Sequence, residues 1–536
     1  MIRMIQSTSG LQAKSYFADA LSKSDYYVDD QELSGKFNGA IAKKLGLEGN
    51  VTKESFFSLC ENINPNTGKP LTQRNVNNRT IGYDINFHCP KSVSILHALS
   101  GDNHLLDAFD ESVKETMQDM EADAKTRVRK KGDYDDRLTG ELLYADFTHQ
   151  TARPVAEQAP DPHLHCHCFT FNVTWDNEEK IFKAGQFRDI KRDMPYYQAR
   201  FHKRLSDRLL NLGYSIKRTK KSFEVDGVPQ NVIDLFSKRT DEIGRVAKEK
   251  GINNPKELGE LGARTRSKKQ KGLTMSMLKS NWRKQINELN KEEKGEGKKI
   301  IRNDPNRKNS KINVKECVDH ALQHSFERAS VVADRKILES AYRFGIGDPS
   351  ANVERITNEF KQIETIIKVK EKSRFLCTTK EVLSEEKTMV ELAQQGKGKF
   401  IPLFDKAPKL NLTGQQADAV QHVLTTANQV SIIRGAAGTG KTTLMKEAIH
   451  FMNKAGKIVY TFAPTAQASR GNLREEGFED AETVAKLLSD KKLQDKLEDQ
   501  ILWVDEAGLL GTKDMKALLE LATQKNARLI LGGDTR

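Results

Sequence analysis

Asp161-Pro162-His163-Leu164-His165-Cys166-His167-Cys168-Phe169-Thr170-Phe171-Asn172 alternates imidazoles with apolar side chains and ends in an apolar, β-prone run, so it reads as a strand. A period of two puts His163, His165 and His167 on one face and Leu164, Cys166 and Cys168 on the other. Packing rarely needs three imidazoles on one strand face, whereas a divalent cation uses them directly. Upstream, residues 141–149 read as a second strand that ends in His149. His149 with His165 and His167 would make a three-nitrogen site open on one side, suited to Lewis-acid work on a phosphate oxygen. The single-strand set His163, His165 and His167 satisfies the spacing equally, and the bland alternative is a row of half-exposed surface histidines.

Around these strands, residues 11–21 read as a helix and residues 80–87 as a strand, and Pro90 opens a helix. Leu106, Phe109, Val113, Met117 and Met120 keep a three-or-four spacing, which predicts an amphipathic helix over 103–129. Strands not regularly separated by helices predict an antiparallel α+β sheet with flanking helices and a histidine-strand metal site. Polar linker composition covers 291–312, residues 313–405 read as mainly helical, and a second boundary falls near 394–399. The expected domains are therefore 1–290, a linker 291–312, a helical segment 313–405 and a partial α/β, RecA-like phosphate-loop domain 406–536.

The 536 residues suffice for two to four domains, and 87 Lys and Arg against 74 Asp and Glu give a net charge of +13. Basic runs such as Arg127-Val128-Arg129-Lys130-Lys131 and Lys217-Arg218-Thr219-Lys220-Lys221 favour a polyanionic partner. Six cysteines without a Cys-x-x-Cys spacing indicate neither a zinc ribbon nor a disulfide framework. No signal-peptide core or membrane-length apolar run is present, so the expectation is a cytoplasmic protein with no membrane insertion.

Gly435-Ala436-Ala437-Gly438-Thr439-Gly440-Lys441-Thr442 follows the apolar strand Val430-Ser431-Ile432-Ile433 and precedes a helical pattern that begins at Thr443. Gly435, Gly438 and Gly440 let backbone N–H groups close on phosphates, Lys441 reaches the outer phosphates, and Thr442 ligates Mg²⁺. Ile501-Leu502-Trp503-Val504-Asp505-Glu506 ends an apolar strand in two carboxylates, with Asp505 placed for Mg²⁺ and Glu506 for the attacking water. Gln416 is a candidate for adenine. The expected ligand of Gly435, Gly438, Gly440, Lys441, Thr442, Thr443, Asp505, Glu506 and Gln416 is ATP with Mg²⁺. Near the N-terminus, Tyr16 and Tyr26 are nucleophile candidates. A phenol with a pKa near ~10 is almost wholly protonated at neutral pH, so it needs a base or a metal-activated phosphate. Asp84 is placed to orient a histidine or to take that proton.

Residues 412–536 resemble a superfamily-1 helicase of the 5′→3′, RecD-like kind, through Leu412-Thr413-Gly414-Gln415-Gln416, the phosphate loop, Ala463-Pro464-Thr465-Ala466-Gln467, the Asp505-Glu506 strand and Leu531-Gly532-Gly533-Asp534. The family continues with a sensor glutamine and a second motor domain, so a chain ending at Arg536 is expected to bind nucleotide without translocating, its motor truncated. The first ~290 residues, a length that suits one domain, resemble the relaxase domain of conjugative relaxase–helicases of the MobF (TrwC/TraI) type. The residues that carry this are the N-terminal tyrosines, Gly82-Tyr83-Asp84-Ile85-Asn86-Phe87 with Pro90-Lys91-Ser92-Val93-Ser94, His149-Gln150-Thr151-Ala152-Arg153 and Asp161-Pro162-His163-Leu164-His165-Cys166-His167.

The resemblance implies a site- and strand-specific single-stranded DNA endonuclease and strand transferase acting at a plasmid transfer origin through a 5′-phosphotyrosyl intermediate. It implies Tyr16 and Tyr26 as nucleophiles, Asp84 as acidic helper, and His149, His165 and His167 as ligands of a divalent metal, Mg²⁺ or Mn²⁺. Single-stranded and hairpin DNA, accessory relaxosome proteins and type IV secretion or coupling proteins are its implied partners. Phe17 where the family often has a second tyrosine, the added residues 154–159, and His163 where a non-ligand polar residue is more usual are departures. The alternatives are a rolling-circle replication initiator or Helitron-like transposase, and further off a non-catalytic DNA-binding regulator. Tyrosines ahead of the histidine strand favour the relaxase.

Overall fold

The histidine strand sits in the middle of a six-stranded antiparallel sheet. Its strands are β1 (Ile2–Ser7), β2 (Lys36–Asn38), β3 (Gly49–Asn50), β4 (Gly82–His88), β5 (Tyr144–Thr151) and β6 (Pro162–Phe171), in the order β1-β4-β6-β5-β2-β3. The computed structural model describes residues 1–10, 13–14, 35–73, 79–129, 135–152, 154–155, 158–252, 254, 257, 273–292, 311–436 and 438–534. Tyr16 and Tyr26 lie outside the described residues, as does all but Ala13 and Lys14 of the helix expected at 11–21.

Alternation assigns the two faces of the sheet to different work. Ile85 and Phe87 of β4 and Leu164, Cys166 and Cys168 of β6 point into one core, with side chains from α3 (Lys91–Ser100), α4 (His104–Ala122) and α5 (Met194–Asn211). Phe201 of α5 packs edge-on against Phe87 of β4 at 5.2 Å and against Phe109 of α4 at 6.0 Å. On the opposite face, Phe147, Phe169 and Phe171 close a second core with α1 (Ala40–Lys44) and α2 (Lys53–Cys60). That second core covers only the half of the face nearest Phe171. Toward Pro162 the same face carries histidines.

Phe56 is the keystone of the second core. It is fully buried, with ring centroids 5.4 Å from Phe169, 5.3 Å from Phe171 and 6.1 Å from Phe147. Phe56→Ala is expected to cost about 3–5 kcal/mol, transfer and cavity terms together. Urea unfolding followed by tyrosine and tryptophan fluorescence checks this, and a midpoint unchanged from the parent would refute it.

The predicted helix over 103–129 stops at Ala122, and Lys125–Arg127 instead pairs as a short strand with Asp136–Leu138. The three-or-four apolar spacing ends at Met120, and the buried residues that follow, Ala124, Thr126 and Val128, recur every second residue, which is the period of a strand. The segment read as mainly helical before the motor carries the helices Val314–Ser325, Asp334–Phe344, Val353–Gln362 and Lys380–Gln395, and departs from that reading in one small sheet. Ile366–Glu371 and Arg374–Thr379 form an antiparallel hairpin, joined on its other side by Val332–Ala333. The β-branched and polar alternation of Ile367-Lys368-Val369-Lys370 suits a strand, and Lys372 takes the positive φ of 54° that the tight turn needs. After the hairpin, helix resumes at Lys380, where the Thr379 hydroxyl accepts the Val382 N–H at 3.1 Å.

The chain forms two units. One comprises Met1–Ala321 with Arg335–Gln362, and the other Leu322–Asp334 with Ile363–Arg536. The helical segment expected between linker and motor is thus divided between them. The second unit holds a parallel sheet, β7 (Val430–Arg434), β8 (Val459–Ala463), β9 (Glu482–Thr483), β10 (Ile501–Val504) and β11 (Arg528–Gly533), in the order β7-β11-β10-β8-β9. Ile501, Trp503 and Ile530 face α6 (Gly414–Thr425) and α7 (Lys441–Lys454), while Leu502, Val504, Leu529 and Leu531 face α8 (Thr512–Gln524). Helices on both faces of a parallel sheet are the α/β arrangement that the alternation of strand, loop and helix predicts.

Candidate active site

Antiparallel register brings the histidines together. His165 of β6 lies directly opposite His149 of β5 on one side and His88 of β4 on the other, so three imidazoles form a row across three strands. His167 is opposite Asn86, one pleat further along. Ring centroids are 5.3 Å apart for His149 and His165, 5.5 Å for His149 and His167, and 5.2 Å for His165 and His167. Three imidazoles bound through nitrogen to one tetrahedral ion would place their centroids roughly 5 Å apart. Between His149 and Thr151 the β5–β6 register shifts by one residue. Such irregularities bend a strand and re-aim the side chains beside them.

The groups behind the rings fix their protons. The Nδ1–H of His167 donates to both oxygens of Asp84, at 3.0 and 3.1 Å, and the carboxylate is buried. The Asn86 side-chain amide lies beside both the Asp84 carboxylate and the His167 ring. The Nδ1–H of His165 donates to the His163 carbonyl oxygen at 3.0 Å. In the neutral ring each bond leaves Nε2 as the nitrogen with the free lone pair. His88, His163 and His165 are held well below the usual imidazole range, first by burial and then by one another and nearby cations such as Lys91 and Arg3.

Neutral imidazoles with lone pairs on offer suit a first-row divalent ion, and on donor chemistry the residues fit a metal. Among the described residues no three His, Cys, Asp or Glu groups are already converged as a finished coordination set, so ring rotation would complete one. Asp84→Asn is expected to weaken divalent-ion binding about 10- to 100-fold by loosening the His167 ring. Competition with a chromophoric chelator measures this, and an unchanged affinity would remove Asp84 from the site.

The strand is also pinned where it begins. The Trp282 indole N–H donates to the Pro160 carbonyl at 2.9 Å, Lys238 pairs with Asp161 at 3.0 Å, and Lys91 donates to the Pro162 carbonyl at 3.1 Å.

In the second unit, Gly438 and Gly440 adopt φ of 77° and 75°, a region that L side chains enter with strain, and Gly440 caps α7. Lys441 donates to the Gly435 carbonyl at 2.6 Å and pairs with Asp534. Gln416 Nε2 donates to the Thr439 carbonyl at 2.8 Å and so braces the loop. Lys441, Thr442, Met445, Trp503 and Asp505 line one small cavity, and burial pushes the Asp505 carboxyl up. Glu506 sits at φ 52° at the head of the turn Ala507–Leu509, a backbone conformation costly for a residue with a Cβ. Thr443 follows on the first turn of α7.

Sequence reading missed His88, Asn86 and Asp534. Asp84, Asn86 and His88 alternate on β4 just as His163, His165 and His167 do on β6. Ending the strand at Phe87 hid the last of them.

A family model for TrwC relaxase matches residues 11–289, and one for an AAA domain matches residues 411–536. The multifunctional conjugation protein TraI of Escherichia coli (strain K12) is 31% identical over 275 residues, which is 49% of this chain and 15% of TraI. The conjugal transfer protein TraA of Rhizobium radiobacter is 32% identical over 124 residues, 23% of this chain and 11% of TraA. The chain therefore spans only a small part of the length of these relatives. A metal-bound structure of the conjugative relaxase TrwC in complex with oriT DNA aligns at 26% identity and a TM-score of 0.47, covering 54% of this chain and 98% of that one. A copper-bound structure of TrwC with oriT DNA aligns at 27% identity and a TM-score of 0.48, with the same coverage.

Proposed function

Because the chain belongs to the TrwC relaxase family, with an AAA-type domain following at 411–536, we propose that it cuts and rejoins one DNA strand at a plasmid transfer origin. The observation that carries this reading is the imidazole group on adjacent strands with a buried carboxylate behind it. His149, His165 and His167 would hold a divalent ion, and that ion supplies charge neutralisation at the phosphoryl oxygens. The all-nitrogen donor set favours Mn²⁺ and later first-row ions over Mg²⁺.

Asp84 keeps the His167 ring turned toward the site and its proton on Nδ1. Tyr16 attacks the scissile phosphate in line. The phenol loses its proton, the phosphorus–O3′ bond breaks, and the products are a 5′-phosphotyrosyl protein and a free 3′ hydroxyl. One phosphodiester replaces another, so the step is reversible and consumes no ATP. Tyr26 serves the second transfer, which rejoins the strand. The substrate is single-stranded DNA beside a hairpin, and relaxosome and secretion or coupling proteins are the proposed partners in the cytoplasm.

At the phosphate loop, the backbone of Gly435, Gly438 and Gly440 with Lys441 would hold the ATP phosphates, and Thr442 and Asp505 would hold Mg²⁺. Glu506 would position water, Gln416 would meet the adenine and Thr443 would cap the phosphates.

The test is incubation of the full chain with end-labelled oligonucleotides that span candidate transfer origins, with Mn²⁺ and then with EDTA. A protein–DNA adduct that resists denaturation, disappears with chelator and returns with metal is the expected result. No adduct across the panel, or one indifferent to EDTA, overturns the proposal.

A further inference from the structure

The three-imidazole set leaves two histidines without a task. His88 Nδ1 and His163 Nε2 lie 2.9 Å apart, at the edge of the site away from His167. Their rings stack at 5.2 Å with an interplanar angle of 29°. His165 lies against both, 5.6 Å from His88 and 4.9 Å from His163 by ring centroid. All three come from adjacent β4 and β6 at fixed register, so the sheet sets their spacing.

We propose that His88 and His163 bind a second divalent transition-metal ion next to the one held by His149, His165 and His167. Nitrogens bound at about 2.0–2.1 Å to one ion stand roughly 2.9 Å apart at a right angle and roughly 3.3 Å apart at a tetrahedral angle. The observed separation matches the right-angle case, which is the geometry of Ni²⁺ and Cu²⁺ with imidazole. In the metal-free pair one proton lies between the two nitrogens. Binding moves it to the far nitrogen of its own ring, so no proton need leave the protein. Two protein nitrogens leave the other positions of the ion to water or to a phosphate oxygen of bound DNA. Its ligand class is therefore a phosphodiester. Arg3, opposite Asn86 on β1 and exposed, adds a cation on the same face of the sheet.

The experiment counts Ni²⁺ ions on the full chain by isothermal titration calorimetry and by elemental analysis after desalting. It is run in a His324→Gln background, so that the four-apart histidines His320 and His324 of the helix Val314–Ser325 do not compete as a ligand pair. Two ions per chain are expected, falling to one in His163→Gln and in His88→Ser, with circular dichroism unchanged. One ion in the parent overturns the proposal, and so do two ions retained in both variants. A second measurement needs no variant beyond the background. Two Cu²⁺ ions on neighbouring imidazole groups give a dipolar-broadened electron paramagnetic resonance spectrum at saturation. A spectrum of isolated Cu²⁺ centres at every loading counts against the second site.

Discussion

Tyr16→Phe is expected to abolish the denaturation-resistant adduct while the protein still binds the origin hairpin. The substitution removes one oxygen and leaves the aromatic bulk, so it opens no cavity that would unfold the protein. Everything the proposed site supplies to the phosphate remains: the imidazoles, their ion and the Asp84 carboxylate behind His167. What disappears is the only atom able to form the new phosphodiester at that position, and losing the nucleophile of a covalent mechanism typically costs ~10⁴-fold or more. Tyr26→Phe separates the two proposed transfers. It should keep adduct formation and lose strand rejoining onto a second oligonucleotide. An undiminished Tyr16→Phe adduct would move the first attack to another residue, and hairpin binding lost together with the adduct would point to a structural role for Tyr16.

Lys441→Ala is expected to weaken ATP binding about 10- to 150-fold, which is the loss of charge-assisted hydrogen bonds worth about 1.5–3 kcal/mol. The side chain already points into the loop, held by the Gly435 carbonyl and the Asp534 carboxylate. Bound phosphates would take over those contacts. Adduct formation should not change, because exchange of one phosphodiester for another uses no nucleotide. Fluorescent-nucleotide titration and the adduct assay on the same preparation check both halves. Parent-like nucleotide affinity would take Lys441 out of the proposed role, and a parallel fall in adduct would mean that the two chemistries are coupled.

What could be read in advance was local. The β6 strand and its two faces followed from alternation alone, and the phosphate loop from a motif in its proper strand–loop–helix setting. The opposition of His149 and His165 rested on a register that no single segment specifies, which is why two ligand sets fitted the spacing equally well. His88 was missed by one residue of strand length. The hairpin Ile366–Thr379 was missed because its apolar positions are few and its outer face is charged, so the period-two signal was weak. Helix α4 was overextended because the charged residues after Met120 are compatible with helix, whereas Ala124, Thr126 and Val128 bury at a period of two.

The division of the chain into units has a consequence for anyone who wishes to excise the first unit. Arg335–Gln362 returns to the first unit after a thirteen-residue excursion, Leu322–Asp334, into the second. It brings Arg335 to Asp193 and Asp123, at 3.0 and 2.7 Å, and seats the fully buried Tyr342 against Arg200 at 3.1 Å. It also gives the buried ammonium of Lys203 the Asp348 carbonyl at 3.0 Å. A fragment severed at residue 290 would uncover that seam and strip partners from Arg200 and Lys203, each stripped buried group costing about 1–3 kcal/mol. A cut at residue 290 would therefore yield a frailer fragment than the chain it came from, and a cut after Gln362 is the one that respects the weave.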